Sequence, residues 1–276
     1  MRQDDEEFRR VVRELDEEGR RSQEVVRESP PPSPQPVRVG LPLGARVPWV
    51  ARVLLTLNIA IFAVPWLLSN LLGAPLDELV LLLGAKENER IYRFGEYYRF
   101  LTAMFLHGGL THILFNAFAL YSLGFETERI YGHRRFLAVY ALAGLGGGLA
   151  SYALNPSPSV GASGAIFGLI GALAVFYYEA RAVLGGVARQ QLGSLVFTLL
   201  INLGLGFSVP LIDNNAHLGG LAAGALAGWL LAPRFAVDLR FYPPRVERRS
   251  LGIGWPGAAG MLALITLAAM VIVPPM

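Results

Sequence analysis

FLAVYALAGLGGGLASYALNPSPSVGASGAIFGLIGALAVFYY, residues 136–178, contains no Asp, Glu, Lys or Arg. Two apolar runs, 136–154 and 163–178, flank a short break, NPSPSVGA, at 155–162. Runs of this length without charge belong in a bilayer. An isolated strand there would leave its backbone polar groups without partners, so the runs must be helices. Working outward, five more apolar runs follow: 49–72, which holds a single charge at Arg52, and 110–125, 192–207, 216–232 and 253–273. The middle runs are only 16–19 residues long, short for a hydrocarbon core of about 30 Å. Such lengths suit helices buried in a bundle or a locally thinned bilayer. The expected fold class is therefore all-α, a polytopic membrane helical bundle.

Composition agrees. Of 276 residues, 53% are hydrophobic and 16% charged, against about 25% charged in soluble domains. Net charge is only +3, and Lys86 is the sole lysine. The arginines sit in tails and short loops rather than on one face, which argues against nucleic acid as a partner. There is no cysteine, which removes disulfides, thiolate metal sites and a cysteine nucleophile together. The N-terminus opens with Asp4, Asp5, Glu6 and Glu7 and does not read as a signal peptide. Residues 1–47 are polar: the charge mixture over 3–28 predicts a short helix of its own, and SPPPSPQP at 29–36 predicts an extended linker. That tail reads as solvated and cytoplasmic, with docking or regulation as the other reading. The organisation expected is a tail at 1–47, a core at 48–232, and at 233–276 a cytoplasmic linker with one more membrane helix.

Orientation follows from the loops. Arg129, Arg134 and Arg135 lie between the second and third runs, Arg181 and Arg189 between the fourth and fifth, and Arg234 to Arg249 between the last two. The alternate loops 155–162 and 208–215 hold no Arg or Lys. An excess of Arg on the cytoplasmic side puts the N-terminus inside and the C-terminus outside. Loop 73–109 resists, because it carries Lys86, Arg90, Arg93 and Arg99. It also carries the apolar LDELVLLLGA, and so is expected to fold back onto the bundle.

Between 110 and 232 the only acids are Glu126, Glu128, Glu179 and Asp213, all at run ends. A buried aspartate pair is thus unavailable; so are an H-E-x-x-H zinc helix and a lysine for a Ser–Lys dyad. The polar residues at membrane depth are His107, His112, Asn116, Ser163, Asn202 and His217. Such groups are costly in lipid and are either functional or interhelical hydrogen-bond glue. His112 and Asn116, four apart, share one helix face. His107 lies about 140° away round a regular helix, which disfavours a zinc pair with His112. Gly161-Ala-Ser163-Gly164 opens the fourth run, where a serine either caps the helix or reacts. Its glycines allow close backbone approach and leave N–H groups open to an anion. Asn215-Ala-His217-Leu-Gly-Gly220 opens the sixth run. Gly164, Gly168 and Ala172 recur every four residues, as do Ala216, Gly220, Gly224 and Gly228, which predicts close packing of those two helices.

H-x4-H-x3-N at 107–116, GASGAIFGL at 161–169 and AHLGG at 216–220, in that order, resemble the rhomboid family of intramembrane serine proteases. GEYYRFLTAMFLHGG at 95–109 and E-x2-YG at 128–132 also look like it, although many relatives carry Trp-Arg where Tyr98-Arg99 stands. The resemblance covers about 50–232 and implies a six-helix core, with 253–273 as an added seventh helix. It implies Ser163 as nucleophile and His217 as general base, without a third carboxylate. It implies His112 and Asn116 as oxyanion donors beside the Ser163 N–H, Phe167 packed on the catalytic histidine, Gly161 and Gly164 as support, and His107 and Glu128 as structural. The implied substrates are membrane proteins cut in or near transmembrane segments, entering sideways past the fifth helix, whose Gly193, Gly204 and Gly206 serve either tilting or ordinary packing. No cofactor or metal is implied. The competing readings are a relative that binds membrane clients without cutting, and a transporter, which would need broken helices or charges along a path.

Overall fold

The computed structural model describes residues 2–27, 47–209, 212–238, 240–241 and 245–276. The chain divides into two compact units, 1–40 and 41–276. In the first, α1 (Arg2–Arg27) is one charged helix with an Arg10–Glu14 ion pair one turn apart at 3.8 Å. The proline-rich 29–36 lies outside the described residues.

The second unit is a helical bundle. Its long helices are α2 (Trp49–Leu72), α8 (His133–Leu154), α9 (Ser163–Glu179), α11 (Gly186–Ser208), α12 (Asn214–Leu231) and α13 (Gly254–Val271). Between α2 and α8, α6 (Leu110–Ala119) runs through one π-helical turn, Leu120–Gly124, into α7 (Phe125–Tyr131). Among the described residues α2, α8, α11 and α13 are long and apolar enough to cross a membrane. Arg99–Phe105 and Leu110–Tyr131 together are also long and apolar enough, but the two are bent by 92° at the break between them. α9, with 17 residues, falls short of that length.

The centre is α8, α9 and α12, and glycine makes it possible. α9 and α12 run parallel and in register: a side chain on Gly220 would overlap the Gly164 backbone, one on Gly224 would overlap Gly168, and one on Gly228 would lie 2.6 Å from Ala172 Cα. α8 crosses both, with Gly147 facing Ala216 O and Gly164 Cα. Without a hydrophobic driving force inside lipid, helix association depends on such close approach. Tyr131, from α7, bolts the far ends together by donating to Ala172 O (2.9 Å) and Gly228 O (3.3 Å).

Glu128 ties on the first span. Its carboxylate is fully buried and accepts from Val50 N (3.0 Å) and Ala51 N (2.7 Å). These are amides of the first turn of α2, which have no partner within the helix. His133 Nδ1 contacts the same carboxylate.

Loop 73–109 folds into three short helices, α3 (Leu76–Leu83), α4 (Asn88–Phe94) and α5 (Arg99–Thr102), then a 3₁₀ turn, Ala103–Phe105. Arg99 is buried; it donates to Leu81 O, Ala85 O and Glu96. The short α10 (Arg181–Leu184) joins α9 to α11. Between α12 and α13 the chain forms a hairpin, β1 (Arg234–Asp238) antiparallel to β2 (Arg245–Arg249), where the sequence reading has only a linker.

Candidate active site

Ser163 is the first residue of α9, and His217 lies in the first turn of α12. Because the two helices are parallel and in register, these residues stand at the same end of the bundle. Gly164, next to the serine, packs within reach of Ala216 O, next to the histidine. Phe167 stands one turn beyond Ser163, on the same side of α9. Its ring stacks on His217 at 4.1 Å between centroids and 9° between planes. His217 is buried, and its Nδ1 has no hydrogen-bond partner among the described residues. The half-buried Ser163 hydroxyl makes no hydrogen bond among them either.

Gly161 precedes the serine with φ +122°, a conformation that side-chain-bearing residues rarely adopt. A side chain there would fall 2.7 Å from His112 Nε2 and 3.7 Å from Ser163 Oγ. The imidazole of His112 and the Ser163 hydroxyl therefore border the same small space over the Gly161 backbone. Asn116 is buried on the same face of α6, but one amide N–H goes to His112 O (2.9 Å), and its Oδ1 has no partner among the described residues. His107 precedes α6, and its ring meets His112 edge to face at 5.1 Å and Phe62 at 6.4 Å. The break before α6 is what brings the 107 and 112 rings together; on one regular helix they would diverge.

Asp213 caps α12 by accepting from Ala216 N (3.1 Å). Its other oxygen accepts from Ser151 Oγ (2.5 Å), so its bonds serve the helix end rather than the His217 ring. Asp213 and Ser151 were not expected from sequence as part of this site; an acid three residues before A-H-L-G-G in helix-cap position was the available signal. A cavity of about 30 Å³, wide enough for one water, is lined by Gly161, Gly164, Ala216, Ser151, Ser159 and Lys86.

The description Rhomboid domain matches residues 94–234. The chain belongs to the rhomboid family. It is 44% identical over 155 residues to Rhomboid protease GluP of Bacillus subtilis, covering 56% of this chain and 30% of that protein. It is 33% identical over 261 residues to RHOMBOID-like protein 5 of Arabidopsis thaliana, covering 79% of this chain and 84% of that one. RHOMBOID-like protein 1 of the same plant is 32% identical over 215 residues, with 68% and 55% covered. This rhomboid thus spans less than a third of GluP and most of RHOMBOID-like protein 5. Its multi-pass membrane character agrees with the apolar helices. The matched region runs from the first loop through α12 and contains Ser163, His217, His112, Asn116, Phe167 and His107.

Proposed function

We propose that this rhomboid is an intramembrane serine endopeptidase that cleaves membrane proteins in or near their transmembrane segments, with Ser163 and His217 as a dyad. The observation that carries this reading is the Phe167–His217 stack one turn from Ser163. It holds the imidazole plane against α9, one turn from the serine, which supports a dyad that needs no carboxylate to orient the ring. Serine needs a base to become nucleophilic. With Nδ1 buried, Nε2 is the nitrogen left to take the Ser163 proton. Serine–base hydrogen bonds in unliganded sites are often long and close on substrate.

Ser163 Oγ attacks the scissile carbonyl carbon while His217 accepts the hydroxyl proton. The tetrahedral oxyanion forms over Gly161, where His112 Nε2, the Ser163 N–H and the second N–H of Asn116 are the available donors. Collapse expels the amine, which takes the proton from His217. A water, deprotonated by the same ring, then hydrolyses the acyl-serine. This is a two-residue variant of the serine–histidine arrangement.

By the arginine distribution, the N-terminus is cytoplasmic, the C-terminus external, and the dyad faces the outer side. Substrate enters laterally past α11, the least buried of the long spans. Among the described residues, a Cβ added at Gly193 or Gly204 would meet nothing within 4 Å, and one at Gly206 would meet Asn214. The site needs no cofactor, and the bilayer is its medium.

Fluorophosphonate labelling and cleavage of a tagged single-span protein test the reading. Both should be present in wild type and absent in Ser163→Ala. A folded wild-type protein that captures such clients but neither labels nor cuts them would establish the client-binding alternative. Cutting that survives in purified Ser163→Ala would refute the dyad.

A further inference from the structure

The nucleophile is reached through residues 155–162, and this approach is held by one buried cation. Lys86, the only lysine in the chain, is 1% exposed. Its ammonium donates to Asn88 Oδ1 (3.0 Å), Asn155 O (2.8 Å) and Ser157 O (2.8 Å). Its backbone forms a two-way bridge with Ser159, at 2.9 and 3.0 Å. Asn88 Nδ2 adds a second bond to Asn155 O (3.1 Å) and one to Pro275 O (2.6 Å), in the segment after α13. Gly161 N closes the run on Ala103 O (2.8 Å). The approach is thus anchored at 155, 157, 159 and 161, two residues short of Ser163, and Lys86 or Asn88 holds the first three points.

No carboxylate lies in ion-pair range of this ammonium among the described residues; the Asp213 charge acts on it from further off and favours the protonated form. Burial dominates and brings Lys86 down to about 8. An ammonium taken from water and bonded to neutral carbonyls is a costly way to fill space, and a hydrocarbon side chain would fill it more cheaply. What lysine alone supplies is three diverging donors that fix two carbonyls of the approach against the first loop.

We propose that Lys86 is a positioning residue for the reaction at Ser163: with Asn88 it forms a clamp, closed by the segment following α13, that sets the Gly161 wall of the oxyanion space and the placement of the serine. This rests on the protease reading. It also gives the seventh helix a task, because α13 delivers the Pro275 carbonyl to Asn88. Misplacement of about 1 Å by groups remote from the chemistry is enough to cost up to 10²-fold in rate.

The test uses the full chain reconstituted in liposomes, comparing wild type, Lys86→Met, Asn88→Ala and Ser163→Ala. Five quantities are measured: fluorophosphonate labelling rate, kcat and KM on a single-span substrate, hydrogen exchange of 157–161, and the unfolding midpoint. Lys86→Met should slow labelling and lower kcat by roughly 10- to 100-fold. KM should change about 3-fold or less, and exchange at 157–161 should rise in the folded protein. Asn88→Ala should give the same pattern, smaller, and serves as the deciding variant if Lys86→Met does not fold. Labelling abolished by Ser163→Ala yet unchanged in folded Asn88→Ala and Lys86→Met overturns the clamp alone. Labelling that persists in Ser163→Ala overturns the protease reading and the clamp with it.

Discussion

Phe167 holds the His217 ring at 4.1 Å in a near-parallel stack, a contact typically worth about 0.5–1.5 kcal/mol beyond burial. Phe167→Leu should therefore lower kcat by roughly 2- to 10-fold, while Phe167→Tyr, which keeps the ring, should stay near wild type; steady-state cleavage rates decide between them. Lys86 carries a separate consequence for stability. Its folded value near 8 lies below its ordinary 10.5, so between those values the unfolded chain binds more protons and stability rises with pH. Unfolding midpoints of wild type should gain on those of Lys86→Met from pH 8 to 10.5, by at most about 3 kcal/mol. A constant difference across that window would mean that the ammonium is not held against burial. At this scale the motif residues were legible because serine, histidine and asparagine are conspicuous in an apolar background. Lys86 was not, because a lone lysine in a loop reads as solvated; only the folded loop shows that it is buried.

The helices meet where side chains are missing. Gly224 has the Gly168 backbone where its Cβ would be, whereas Gly193 and Gly260 have nothing within 4 Å. Gly224→Ala should lower the unfolding midpoint by several degrees, since overpacking a tight contact costs about 1–3 kcal/mol. Gly193→Ala and Gly260→Ala should be neutral or slightly stabilising, because alanine is the better helix former. Equal effects at all three would show that the α9–α12 approach is looser than described. The spacing of small residues made this packing readable in advance. Helix ends were read less well: the second run was expected to stop at 125 and continues to Tyr131, and the fifth was expected from 192 and starts at Gly186. Hydropathy registers where lipid ends, but backbone hydrogen bonding continues a helix into water. The hairpin over 234–249 was missed for a related reason, because its strands are rich in arginine and show no apolar alternation.

For the whole molecule, the absence of cysteine makes topology directly measurable. Ser157→Cys, beside the site, should react with a membrane-impermeant maleimide added outside intact cells. Arg134→Cys, at the start of α8, should react only after permeabilisation. The reverse pattern would place the dyad on the inner face. A helical bundle with its fourth and sixth runs in close contact was foreseeable from sequence; that α8 joins them through Gly147 was not. The fold of the first loop was not, since it depends on Arg99 and Lys86 finding carbonyls far away in the chain.

The π-helical turn at Leu120–Gly124 has a further consequence for this architecture. A wider turn accommodates one residue more than a regular helix, and each helical residue advances the azimuth by about 100°. Asn116 precedes that turn and Glu128 follows it, so the inserted residue sets the angle between the side of the rod facing the serine and the side facing the start of α2. Removing one residue from 120–124 would preserve composition and hydropathy, yet swing the Glu128 carboxylate about 100° away from the Val50 and Ala51 amides. A single extra residue thus works as a rotational gear, letting one continuous rod serve both the candidate site and a distant structural anchor.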